Sequence, residues 1–255
     1  MQLTRSPLQT QAMPHKTMCI KEDLAMAYRV IARLNWDDHT YTHLSAREPS
    51  DQNAFYIYPF GLRFEETTPE CLLKVSLAGE VLSGNEYQYN QTGYILHGGI
   101  YQKRPDIQAI FHLHTKESIA VSVCSQGLLP ISQWALHFYN RVAYHDYDSL
   151  ALSPRQGCLI ADKLGEHFVM FLRHHGFITT GRTIQEAMFY CYHLQKACET
   201  QCLILASGGS DMRPNQTTCE KASSDLLSFE KNLGKRDWEA WKRWDARQTR
   251  SDANN

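Results

Sequence analysis

The His-x-His motif at residues 112–114 is the feature that most constrains the fold of this chain. Alternate side chains of an extended strand project from the same face, so His112 and His114 can hold one ion between them. The preceding residues, Ala109–Phe111, are apolar and fit a buried strand. A third ligand must come from elsewhere, so the fold has to bring a distant stretch of chain beside this strand.

A second apolar run, Phe168–Leu172, is the best source of that third ligand. It is followed by Arg173-His174-His175-Gly176, and the glycine lets the backbone approach a bound ion closely. Only one of two adjacent residues at a strand end can face the site, and we predict that it is His175 rather than His174.

Three histidine ligands would indicate the kind of metal site. Three neutral imidazoles that leave coordination positions open are typical of catalytic zinc or non-haem iron, whereas structural zinc sites are usually closed by four ligands. The chain contains 12 histidines, so one His-x-His pair could also arise by chance. We predict a divalent ion, with Zn²⁺ favoured and Fe²⁺ or Mn²⁺ as alternatives.

Several further motifs occur in a characteristic order, and together they resemble the class II aldolase/adducin family from Glu22 to Gly209. The motifs are Thr42–Arg47, Tyr58–Gly61, Leu96–Asp106, His112–Thr115, Ala143–Tyr147 and His174–Gly176. The resemblance implies an α/β fold, a three-layer α/β/α sandwich with a mainly antiparallel central sheet. It also implies zinc held by His112, His114 and His175, and commonly a cyclic tetramer with its active site at a subunit boundary.

Gly93 departs from the pattern of the sugar-phosphate aldolases in this family, which place a glutamate there. In those enzymes the glutamate is the catalytic acid/base and a metal ligand in the resting state, and glycine has no side chain to replace it. Gln91-Thr92 and Thr42-His43 stand where those aldolases bind the phosphate and the substrate. We therefore expect a small carbonyl or hydroxy substrate, not ordinary sugar-phosphate cleavage, and the proton acceptor stays open.

Four residues are candidates for the wall of the substrate pocket: His43, Thr92, His97 and His145. His97 lies on a helix predicted from about Thr92 to Lys103, where a histidine is either a ligand or a hydrogen-bonded packing residue. His145 can orient a ligand imidazole or the substrate, or can be a satisfied loop residue.

At Gly93 and His43 the sequence resembles the adducin-like branch of the family more than the aldolases. Two alternatives to a metal-dependent lyase therefore stay open. One is a non-catalytic scaffold that binds the actin cytoskeleton, although we see no long tail or lysine-rich terminus of the adducin kind. The other is a non-haem iron oxygenase, since an open three-histidine site can hold iron.

Composition restricts the class of protein further. Lys and Arg (26) nearly balance Asp and Glu (27), which indicates neither a nucleic-acid partner nor an anionic membrane surface. The eight cysteines lack zinc-finger spacing, and we find no signal peptide and no apolar run long enough for a membrane span. We expect a homo-oligomeric cytoplasmic protein with reduced thiols.

The chain is expected to form one main domain between two extensions. The predicted divisions are an N-terminal arm at 1–20, the main domain at 21–210 and a C-terminal extension at 211–255. Helices are predicted over Lys21–Asn35 and from Thr183 onward. In the C-terminal extension Trp238, Trp241 and Trp244 recur at helical spacing, and we expect this stripe to dock on its own domain or on a neighbouring subunit.

Overall fold

The computed structural model describes residues 15–208 and 212–252. The strands in these ranges are β1 His43–Glu48, β2 Asp51–Ile57, β3 Leu73–Ser76, β4 Val81–Ser83, β5 Ala109–Leu113, β6 Val142–His145, β7 Val169–Leu172 and β8 Gly176–Gly181. The helices are α1 His15–Arg33, α2 Gln91–Lys103, α3 Lys116–Val123, α4 Gln133–Leu136, α5 Pro154–Leu164, α6 Ile184–Ala206, α7 Gln216–Ser228 and α8 Lys235–Asp252, with a 3-10 turn at Phe64–Glu66.

The strands form one eight-stranded sheet in the order β4-β3-β2-β1-β5-β8-β7-β6. Every neighbouring pair is antiparallel except β6 and β7, so the predicted mainly antiparallel sheet is confirmed. At its centre β5 lies between β1 and β8, with His43 opposite His112. Two predicted site residues thereby become cross-strand neighbours.

Helices pack on this sheet in two groups. Helix α6 contacts β5, β8, α1, α3 and α8, whereas α2 packs against α5. The α2–α5 contact needs glycine on both helices, because a Cβ on Gly99 would overlap the backbone of Gly157. This close approach holds α2, which carries two of the pocket candidates, in a fixed position beside the sheet.

The predicted helices formed with altered bounds. Helix α1 begins at His15, so the last residues of the predicted arm are helical, and it ends at Arg33 rather than Asn35. Residues 1–14 of the arm lie outside the described residues. Helix α6 begins as predicted, with the Thr183 side chain accepting from the Glu186 amide at 3.1 Å.

The tryptophan stripe of α8 packs on its own domain. Trp238 is buried at 1% exposure, and Trp241 and Trp244 are half-buried against the core. Asp245 is also buried and pairs with Arg29 and Arg33 of α1, which ties the two helices together. Of the two expected docking surfaces, the stripe uses its own chain, through α1 and α6.

Candidate metal centre

His112, His114 and His175 meet at one edge of the sheet. His112 lies on β5, His114 follows that strand, and His175 lies in the turn between β7 and β8. One ring nitrogen from each lies within 4.8 Å of the others. Their ring centroids are 4.5–4.8 Å apart. The three residues predicted as ligands are thus brought together from two distant stretches.

The turn between β7 and β8 explains why His175 rather than His174 faces the cluster. His174 has a positive φ of 61° and an exposed side chain. Gly176 follows His175, and a Cβ at position 176 would overlap the carbonyl oxygen of Leu113. The tight turn therefore aims only the second histidine at the cluster.

Hydrogen bonds behind the rings determine which nitrogens face each other. His112 Nδ1 donates to the carbonyl oxygen of Phe177 at 2.9 Å, and His114 Nδ1 donates to Asp38 Oδ2 at 3.0 Å. A carbonyl and a carboxylate can only accept, so each ring carries its proton on Nδ1. The two Nε2 atoms lie 2.8 Å apart. Two lone pairs at that distance repel, and a shared divalent cation relieves the repulsion, so the residues fit a metal.

The environment keeps these rings neutral, which is the form that binds metals. Burial, and then the neighbouring rings of His114 and His175, hold the pKa of His112 well below its usual value. Burial lowers the pKa of His175 to about 4. Burial also lowers the pKa of His114, although Asp38 opposes that shift.

His43 and Gly93 form a matched pair beside the cluster. A Cβ on Gly93 would lie 2.7 Å from Cδ2 and 2.9 Å from Nε2 of His43, closer than packed atoms allow. The His43 centroid is 5.0 Å from that of His112. The imidazole of His43 therefore occupies the space into which a side chain at position 93 would project.

His97 is a hydrogen-bonded partner and does not join the three-histidine cluster. It is fully buried, and its Nε2 lies 2.7 Å from His43 Nδ1. Its Nδ1 contacts Ser45 Oγ, which lies 2.9 Å from the hydroxyl of Tyr101. Sequence reasoning missed Ser45 and Tyr101, although Ser45 lies two residues after His43 and so on the same face of β1.

The other two pocket candidates are not members of the three-histidine cluster. Thr92, in the first turn of α2, donates its hydroxyl proton to Asn90 at 2.8 Å. His145 ends β6, and its buried ring nitrogens make no hydrogen bond among the described residues, although Nε2 lies 3.5 Å from Asp148 Oδ1. It lines a cavity of about 30 Å³ with His175. Larger cavities of about 430 and 560 Å³ lie near α8, away from the cluster.

Comparisons with known proteins identify the family of this chain. Residues 22–202 match the family described as Class II Aldolase and Adducin N-terminal domain. Rat alpha-adducin is 40% identical over 189 residues, which are 73% of this chain and 26% of adducin.

Two solved structures share the fold over nearly the whole chain. An aldolase II superfamily protein from Pseudomonas syringae is 36% identical with a TM-score of 0.87, covering 92% of this chain and 95% of its own. An L-fuculose 1-phosphate aldolase from Glaciozyma antarctica is 25% identical with a TM-score of 0.83, covering 96% of each chain. No helix among the residues 15–208 and 212–252 is long and apolar enough to cross a membrane.

Proposed function

Because this chain belongs to the class II aldolase and adducin family, we propose that it is a metal-dependent enzyme whose ion is held by His112, His114 and His175. The observation that carries the proposal is the convergence of three imidazoles whose ligand atoms lie within 4.8 Å of one another. Three nitrogen ligands leave room for a substrate, as catalytic sites require. We favour Zn²⁺, with Fe²⁺ or Mn²⁺ as alternatives.

The reaction class follows from what the metal and the side chains can each supply. A divalent ion bound here supplies Lewis-acid polarisation of a carbonyl or enediolate oxygen. The Asp38 carboxylate and the Phe177 carbonyl hold two of the ligand rings in place. We propose lyase chemistry on a small carbonyl or hydroxy compound.

Ordinary sugar-phosphate cleavage is disfavoured by the residues at the start of α2. Gly93 provides no carboxylate, and the neighbouring hydroxyl of Thr92 is already donated to Asn90. We expect unphosphorylated ketoses and hydroxy aldehydes to be cleaved faster than phosphorylated ones. An aldol-cleavage screen comparing matched pairs of such compounds measures this directly, and cleavage of a sugar phosphate at ordinary aldolase rates would contradict it.

Elemental analysis of the purified protein tests the metal site. We expect about one ion per chain in the wild type and much less in His112→Ala, because the remaining ligands cannot complete the site. His174→Ala is the matched control, since that residue is adjacent to a ligand but exposed. If His112→Ala retained the wild-type metal content, the ligand assignment would be wrong.

A non-catalytic scaffold is the second candidate function, supported by the 40% identity to rat alpha-adducin. Under that proposal the chain binds cytoskeletal actin and needs no metal. Co-sedimentation with filamentous actin, with and without chelator, separates the two candidates. We also propose that the protein is a cytoplasmic homo-oligomer, a tetramer in the first instance, and light scattering coupled to gel filtration measures its mass in solution.

A further inference from the structure

We infer that His43 presents its Nε2–H as a fixed hydrogen-bond donor to a substrate oxygen at the three-histidine centre. The inference rests on the proposed function, because it concerns a substrate bound beside that centre. Its physical basis is a buried chain of hydrogen bonds that runs from Tyr101 through Ser45 and His97 to His43.

The direction of donation along these hydrogen bonds is fixed by the Tyr101 end of the series. Tyr101 is 1% exposed, and its hydroxyl has no partner among the described residues other than Ser45 Oγ. A buried hydroxyl proton without an acceptor is costly, so Tyr101 donates to Ser45. The hydroxyl proton of Ser45 is then donated to Nδ1 of His97, which accepts it.

The same direction carries through the two imidazoles. Because Nδ1 of His97 accepts, this neutral ring carries its proton on Nε2 and donates it to His43 Nδ1 at 2.7 Å. His43 is then protonated on Nε2. Donation in the opposite direction would leave the hydroxyl proton of Tyr101 buried without an acceptor. The series of hydrogen bonds therefore selects one tautomer of His43.

The Nε2 atom of His43 is available to a ligand. The hydrogen bond between His43 and His97 uses Nδ1 of His43, whereas Nε2 has no hydrogen-bond partner among the described residues and is not fully buried. The ring lies 5.0 Å from that of His112, between centroids, and its Nε2 edge covers Gly93. The donor therefore lies at the margin of the metal cluster.

A fixed Nε2–H donor on His43 would add hydrogen-bond stabilisation of a substrate oxygen beside the metal cluster. A donor held in place before the reaction stabilises negative charge that develops on a substrate oxygen, and a neutral imidazole can fill this role. We expect substrates whose carbonyl oxygen gains negative charge as the reaction proceeds. His43 is then a binding and catalytic residue, whereas Ser45, His97 and Tyr101 are positioning residues.

Nitrogen NMR of the wild-type protein labelled with ¹⁵N-histidine tests the tautomer without any substrate. The His43 signals are identified by their loss in His43→Gln. We expect a protonated Nε2 and an unprotonated Nδ1 on His43, and a protonated Nε2 on His97, in both metal-free and zinc-reconstituted protein. A proton on Nδ1 of His43 would overturn the inference.

Ligand affinity tests the role of that proton. Acetohydroxamate is a suitable probe because it chelates a divalent ion and carries a negatively charged oxygen. In zinc-reconstituted protein we expect His43→Leu to bind it on the order of tenfold to a hundredfold more weakly than wild type, and His43→Gln, which keeps an N–H donor, to recover most of that loss.

Zinc content, measured in each variant, separates the possible failures. If the wild type retains no zinc, the proposed function fails, and with it any role of His43 toward a metal-bound oxygen. If His43→Leu retains zinc and binds acetohydroxamate as tightly as wild type, only the inference about His43 fails.

Discussion

The steric pairing of Gly93 with His43 makes a quantitative prediction about stability. In Gly93→Ala the new Cβ would lie 2.7 Å from Cδ2 of His43, so the ring must move or the helix must shift. Overpacking of this kind costs about 1–3 kcal/mol. Replacing glycine by alanine in a helix contributes up to about 1 kcal/mol in the opposite direction.

Gly98→Ala is the matched control on the same helix. Its Cβ would meet the nearest atom, on Tyr94, at 3.5 Å, which is an ordinary contact. We expect Gly98→Ala to raise the free energy of unfolding by up to about 1 kcal/mol. Gly93→Ala should then be less stable than Gly98→Ala by about 1–3 kcal/mol, the cost of overpacking alone.

A double-mutant cycle in urea denaturation isolates the contact. Once His43→Ala has removed the ring, Gly93→Ala should become as favourable as Gly98→Ala. The coupling free energy between positions 43 and 93 should therefore be about 1–3 kcal/mol. Strictly additive effects, or a Gly93→Ala protein as stable as Gly98→Ala, would refute the idea that the imidazole fills this space.

Three further predictions concern other contacts. Asp38→Asn should lower zinc affinity about 10- to 100-fold in chelator competition, because it weakens the acceptor that orients His114. Burial, and then His193, lowers the pKa of His137 to about 4, below the ordinary 6.5, so the unfolded chain binds more protons and wild-type stability should fall as the pH decreases from about 6.5 to 4. Urea midpoints across that range should fall less for His137→Gln. Asp245→Ala should lower the free energy of unfolding by about 2 kcal/mol and expose Trp238 to fluorescence quenchers, because it removes the buried carboxylate that Arg29 and Arg33 of α1 share.

The cluster of His112, His114 and His175 was predictable because each part has a local signal. Strand periodicity places the first two on one face, and an apolar run ending before a glycine marks the third. The resemblance to the family supplied the order of the motifs. The choice of His175 over His174 required a turn geometry that adjacency alone does not determine, and the positive φ of His174 now explains it.

The partners of these residues could not be predicted in the same way. Asp38 follows α1 and meets His114 only through the tertiary fold, and Tyr101 reaches Ser45 across the α2–β1 contact. Pairings of this kind depend on side-chain directions in space, not on sequence spacing. The partners of His97 are tertiary contacts of the same kind, since its two nitrogens bond to His43 and Ser45.

The cluster draws on chain positions that are far apart, from Asp38 to Phe177. In an unfolded chain the three ligands are not held together, and local groups such as the His112/His114 pair bind an ion weakly and without fixed orientation. A complete binding site exists only after the central strands have paired, so metal uptake should follow folding and then retard unfolding. Chelators should accordingly shorten the lifetime of the native protein more than they slow its refolding.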